Sequence, residues 1–207
     1  MSNRQTYALN NGTETYSFSA FYENTYNSVC GALNSCNKSK KAPVIVCVGS
    51  DLVLGDSLGP LVGTMLIKKN ICAYVYGTLC APITAKEILC ARTHLKMLHP
   101  NSFIVAIDAA VGNSDDIGLI KVTDKGLKPG LGVDKNLGTI GDCGIIGVVA
   151  EKSLKNYNLF NLTRLNLIYK MAEQIACGVE KFVKDFAAEN GVSTITLQPR
   201  NDNGITA

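Results

Sequence analysis

The 207-residue chain has no tryptophan and only two histidines. It also has no apolar run near the ~18 residues needed to cross a bilayer. The opening MSNRQTYALNNGTETYS carries no apolar stretch of the secretion-signal type, so the chain is expected to stay in the cytoplasm with no membrane partner. None of the eight cysteines stands in a C-x-x-C pair, and His94 and His99 lie outside any tight cysteine cluster, which argues against structural zinc. Cys47, Cys72, Cys90 and Cys177 fall within apolar runs, where a free thiol behaves as a small core residue. Charge of one sign is scarce too: 20 Lys and Arg against 17 Asp and Glu leave +3. The basic pairs Lys40–Lys41 and Lys68–Lys69 are too short for a phosphate-backbone footprint, so a nucleic-acid partner is not expected.

What is present is an ordinary globular composition, 46% hydrophobic and 18% charged. The length suits one α/β domain with a substantial core. Residues 1–15, rich in Asn, Thr and Ser, read as a loose arm. Phe18, Tyr22, Tyr26, Val29 and Leu33 recur every three or four positions and predict an amphipathic helix over 16–35. VIVCVG after Pro43 reads as a strand buried on both faces. A helix over 59–69 follows, with Pro60 near its start and Leu61, Val62, Met65 and Leu66 on one side. Strands are expected at 73–78, 102–110, 118–123 and 143–150. Helices are expected at 84–98, through Ile88, Leu89, Leu95 and Leu98, and at 159–187, through Leu162, Leu165, Ile168, Tyr169, Ala172 and Ile175. The predicted organisation is an arm and helix over 1–40, an α/β domain over 41–190 and a tail over 191–207 that adds an edge strand. Strands alternating with helices imply a three-layer α/β/α fold around a mostly parallel, twisted sheet.

The chemistry concentrates at strand ends. In VGSDLVLGDSLGPLVGTML, residues 48–66, Asp51 and Asp56 lie between a buried strand and a buried helix, and Asp108 ends the strand SFIVAIDAA. In open α/β sheets the loops after the strands converge on one crevice. Asp56 and Asp108 brought together there share a proton, so that one acts as base toward water and the other as acid toward an amide. Each acid alone is also what a helix cap or turn would use. Asp51, after Gly49 and Ser50, reads as a turn residue, although Asp51, Asp56 and Asp108 together would suit a divalent cation. The glycines at 49, 55 and 59 match neither common phosphate-loop spacing. Residues 124–144 hold six glycines and one proline, more than a plain connection needs.

These residues resemble a family. VGSDLVLGDSLGP, then IVAIDAA, then KVTDKGLKPGLGV are similar to the YyaC-type sporulation proteins over about residues 40–185. More distantly they resemble the spore germination protease and the hydrogenase-maturation endopeptidases. The resemblance implies an α/β/α fold of the phosphorylase/hydrolase-like kind. It places the germination protease's catalytic acids on Asp56 and Asp108. In the hydrogenase-maturation enzymes the equivalent acids and a downstream histidine bind nickel, whereas no histidine follows Asp108 here. The loop also opens Gly-Ser-Asp where the germination protease has Gly-Asn.

The expectation is a peptidase-like hydrolase of sporulating cells or the forespore that acts on a spore protein without cofactor. Gly49 and Ser50 would shape the approach by backbone contact, and Lys128, Pro129, Gly130 and Gly132 would lie over the cleft. Two alternatives stand beside it: an inactive relative that binds a spore protein as chaperone or assembly factor, and a metal-dependent hydrolase using Asp51, Asp56 and Asp108. The amphipathic helices are compatible with a homo-oligomer as well as with intramolecular core.

Overall fold

A computed structural model describes residues 12–129, 138–152 and 163–191, and the backbone of 6–10. The elements run β1 Thr6–Asn10, β2 Thr13–Ser19, α1 Thr25–Cys36, β3 Pro43–Cys47, α2 Leu58–Lys68 and β4 Tyr74–Tyr76. They continue with α3 Ile88–Leu98, β5 Phe103–Gly112, β6 Leu119–Thr123, β7 Cys143–Glu151 and α4 Leu165–Glu189. The seven strands form one sheet in the order β1-β2-β6-β7-β5-β3-β4. From β7 to β4 all neighbours are parallel; the β1–β2 hairpin and β6 extend that half antiparallel.

Apolar side chains explain the layers. Every residue of β3 is buried, as a strand covered on both faces requires. Ile45, Cys47, Val105 and Ile107 join the larger core, which α1, α2 and α4 close with Leu33, Leu58, Val62, Leu66, Ile168, Ile175 and Phe182. The alternate residues Val44, Val46 and Ala106 join a smaller core with Ile88 and Leu95 of α3 and with Leu127 and Ile140. The expected α/β/α layering is therefore present, with three helices on one face and one on the other. Phe103 and Phe182 meet edge to face in the larger core, ring centres 6.1 Å apart.

The chain before β3 departs from expectation. Residues 13–19 form a strand, and the helix begins only at Thr25. TETYSFS alternates, with Phe18 buried and Tyr16 packed against the larger core; the four-residue spacing of Phe18, Tyr22 and Tyr26 masked this period of two. Gly12, at φ +70°, takes the left-handed conformation of the hairpin turn. The expected loose arm thus supplies two strands of the sheet. Helix α3 starts four residues late and buries Ile88 and Leu95, while Leu89 and Leu98 are exposed. In α4, Leu165 and Tyr169 are likewise exposed, and the buried stripe runs through Ile168, Met171, Ala172, Ile175, Val179 and Phe182. Leu162 and the expected strand in the tail lie outside the described residues. No helix among the described residues is long and apolar enough to cross a membrane.

Candidate functional site

Strands β3 and β5 are parallel neighbours with Cys47 opposite Ile107. Asp108 is therefore one residue beyond the register partner of the last residue of β3. The segment leaving β3 turns back on itself: the Val48 N–H donates to the Ile107 carbonyl at 2.7 Å, the Gly49 N–H to Ile83 at 3.0 Å, and the Ser50 N–H to the Asp56 carbonyl at 3.1 Å. A short 3-10 turn, Leu54–Ser57, then carries Asp56 into α2 and packs against β5. Two glycines make this possible. Gly49 sits at φ +136° with its Cα hydrogens against the Asp56 carbonyl, and a Cβ there would collide with that oxygen. A Cβ at Gly59 would collide with the Val48 carbonyl. Only glycine lets backbone approach backbone so closely.

The two carboxyl groups sense each other. Burial pushes the Asp108 carboxyl well above its ordinary range, and the nearby charge of Asp56 pushes it further, while the Ala109 N–H opposes both. That N–H donates to Asp108 Oδ1 at 2.8 Å and fixes the carboxyl's orientation. Burial also raises Asp56, opposed by the backbone N–H of Ser50. Both residues are half-buried and retain access to solvent. The Asp108 proton is held more tightly because the charge of Asp56 lies near it.

The other residues expected at the site are placed differently. Asp51 is exposed on the turn. Gly49 and Ser50 are at the crevice, where they brace Asp56 through the backbone. Lys128 is exposed and Pro129 buried, next to Leu127, whose backbone bridges Ile140. Leu127 packs on Gly144, which pairs with Ala106, two residues before Asp108 and on the face to which Asp108 alternates. Gly130 and Gly132 lie outside the described residues. The sequence reading missed the segment after β4: Ile83 bridges Val48, which brings residues 77–84 to the same sheet end. The Pro82-Ile83 pair following Gly77 was the available signal.

A cation of the nickel type needs a third donor beside the two acids. Among the described residues no three His, Cys, Asp or Glu side chains gather in that way. His99 follows α3 and leads into the start of β5, the opposite end of the sheet, and its Nε2 meets the Tyr76 hydroxyl at 2.8 Å. The described residues do not fit that group. Two cavities open elsewhere, of about 430 Å³ beside the end of β7 and the start of α4 and of about 330 Å³ at the start of β5. Neither has Asp56 or Asp108 in its lining.

Residues 15–178 match the family described as "Protein of unknown function (DUF1256)". The uncharacterized protein YyaC of Bacillus subtilis (strain 168) is 39% identical over 148 residues, covering 70% of this chain and 72% of YyaC. Among solved structures, the [NiFe] hydrogenase maturation protease HycI from Thermococcus kodakarensis KOD1 superposes with a TM-score of 0.50 at 18% identity, over 73% of this chain and 98% of HycI. That likeness establishes a shared fold.

Proposed function

The chain belongs to the DUF1256 family, and from the two acids its fold brings to one sheet end we propose that it is a peptidase-like hydrolase acting on a spore protein. The observation that carries the reading is that burial raises both Asp56 and Asp108 and that the charge of Asp56 raises Asp108 further. Asp108, the more strongly raised of the two, keeps its proton to higher pH and is the acid of the pair, and Asp56 is its ionised partner. Asp56 takes a proton from water as the water oxygen bonds to the peptide carbonyl carbon. Asp108 gives its proton to the departing amide nitrogen as the C–N bond breaks. The products are one new carboxyl and one new amino terminus, and the proton on Asp56 then resets the pair. Fold likeness to a maturation protease supports this assignment without supplying it. The three sequence motifs point to sporulating cells as the setting.

The test is incubation of the full chain with protein extract from spores, reading new termini by mass spectrometry. Asp56→Asn and Asp108→Asn should each lower cleavage by about 10²–10⁴-fold, the range of a lost acid or base. Stoichiometric capture of a spore protein with no new termini would overturn the reading in favour of a binding role.

A further inference from the structure

Two thiols lie at the end of the parallel strands away from the acids. Cys143 opens β7 and is fully buried, and Cys36 closes α1 and is half-buried. Both are on one side of the sheet: Cys143 is part of the larger core, and Cys36 packs against that core. The strand register brings them together. Thr123 of β6 is opposite Gly144 of β7, so Asp124 stands beside Cys143, one step further along. Asp124 is in turn linked to Glu14: its N–H donates to the Glu14 carbonyl at 3.1 Å, and its Oδ1 accepts from the Glu14 N–H at 2.9 Å. Lys38, two residues past Cys36, reaches the same row through an ion pair with Glu14 at 3.7 Å. Asn37 fixes the turn that leaves α1, its side chain accepting from the Lys41 N–H at 3.0 Å and donating to the Lys41 carbonyl at 2.9 Å. The end of α1 is thereby held over the start of β7. The two thiols interact directly, and that contact is the largest cause both of the lowering of Cys36 and of the rise of Cys143 from the ordinary thiol value. Burial and the charges of Asp124 and Glu14 oppose the lowering at Cys36, and Lys38 supports it. At Cys143, burial and the charges of Cys36, Asp124 and Asp142 add to the rise. Cys36 is thus the member of the pair that both meets solvent and favours the nucleophilic thiolate, while Cys143 stays a thiol.

We propose that Cys36 and Cys143 are a peroxide-oxidised pair that closes to a disulfide, with Cys36 reacting first. The Cys36 thiolate attacks one oxygen of hydrogen peroxide: an S–O bond forms, the O–O bond breaks and hydroxide leaves. The Cys143 sulfur then bonds to the Cys36 sulfur as the S–O bond breaks, and the Cys143 proton departs with the hydroxyl as water. The two thiols give up two electrons, and the peroxide that takes them becomes two waters. The bond joins α1 to β7 across a loop of roughly a hundred residues that carries both acids, and long loops gain most from such a link. This site is separate from the acid pair and stands whether or not the chain cleaves peptides.

The experiment treats the reduced, folded full chain, at low protein concentration, with a small molar excess of hydrogen peroxide. Remaining thiols are alkylated, and the unreduced digest is read by fragmentation mass spectrometry, which separates Cys36 from Cys30 on the same segment. The dominant cross-link should be Cys36 to Cys143, reversed by dithiothreitol, although Cys80 and Cys90 are the exposed thiols. The linked chain should melt higher than the reduced chain by roughly 5–15 °C. Cys36→Ser, at a half-exposed position, should abolish the link and leave Cys143 unoxidised. Cys143→Ser should leave a sulfenic acid on Cys36 that dimedone traps. Oxidation confined to Cys80 and Cys90, or cross-links scattered among the eight cysteines, would overturn the proposal. So would a linked chain that melts no higher than the reduced one, Cys143 oxidised in the Cys36→Ser chain, or a folded Cys143→Ser chain with no dimedone adduct at Cys36.

Discussion

Replacing Asp108 by asparagine should make the protein more stable at neutral pH. Burial and the charge of Asp56 raise the Asp108 carboxyl well above the ordinary 3.8. Between 3.8 and the raised value the folded chain holds a proton that the unfolded chain has released. Folding then takes up a proton, and stability falls as pH rises through that window. Below 3.8 both states are protonated and the penalty vanishes. Each unit of displacement is worth about 1.4 kcal/mol, so by pH 7 the penalty has a ceiling of about 4 kcal/mol. Asparagine keeps the shape and the acceptor for the Ala109 N–H but has no charge to desolvate. The predicted gain is therefore zero near pH 3.5, grows with pH and levels off at the native titration point.

The assay is urea unfolding of the parent chain and Asp108→Asn from pH 3.5 to 7.5. For a chain of this size each kcal/mol also moves Tm by about 2–4 °C, which a thermal scan reads independently. A variant that is less stable than the parent at pH 7, or a difference that does not change with pH, would mean that Asp108 is ionised and paired in the folded protein. The acid assignment in the proposed chemistry would then be wrong as well, since that role requires a proton on Asp108.

The same coupling predicts that Asp56→Asn lowers the Asp108 titration, read by carboxyl-carbon NMR; an unmoved titration would separate the two groups. Cleavage should follow a bell-shaped pH profile. Its alkaline limb is set by proton loss from Asp108, and its acid limb is displaced above 3.8 because burial raises Asp56; a flat profile from pH 4 to 8 would contradict the pair. Gly49→Ala should cost about 2 kcal/mol or more, since it adds left-handed strain to a backbone collision, and cleavage should fall even where the fold survives. Phe182→Ala removes a fully buried ring from the larger core and should cost about 3–5 kcal/mol in urea unfolding.

The parallel half of the sheet was legible because its signal is local. VIVCVG and FIVAID are continuous apolar runs, and a helix pattern follows each strand or precedes the next. The N-terminal hairpin was not, because its polar side has little to say. Thr15 and Ser17 alternate away from Tyr16 and Phe18, and a stripe of five aromatic and aliphatic residues imitates a helix until Gly12 is read as a turn. The faces of α3 and α4 were misjudged at Leu89, Leu98, Leu165 and Tyr169 because apolar residues near helix ends outrun the sheet that would cover them. At the site, both acids could be named from the sequence, although Asp108 does not end its strand, since β5 runs on to Gly112; the effect of the Asp56 charge on Asp108 depends on β3 and β5 being neighbours. Adjacency of strands separated by some sixty residues is a property of topology, and no local pattern encodes it.

Adjacency alone would still leave Asp56 free to retreat from a second charge, since a side chain on a surface turn relaxes outward when its neighbour ionises. The backbone around it removes that freedom. The Asp56 carbonyl is held by the Ser50 N–H and walled by Gly49, and α2 is seated on Val48 through Gly59. The turn between them is a short 3-10 segment packed on β5. A carboxyl mounted this way meets the ionisation of Asp108 with unrelieved repulsion, and the same rigidity keeps the proton on Asp108. Lengthening the turn by one residue between Val53 and Leu54 should therefore lower the Asp108 titration toward that of an isolated buried carboxyl, even with both acids still present. If the titration stayed where it was, the field at Asp108 would have to come from burial alone.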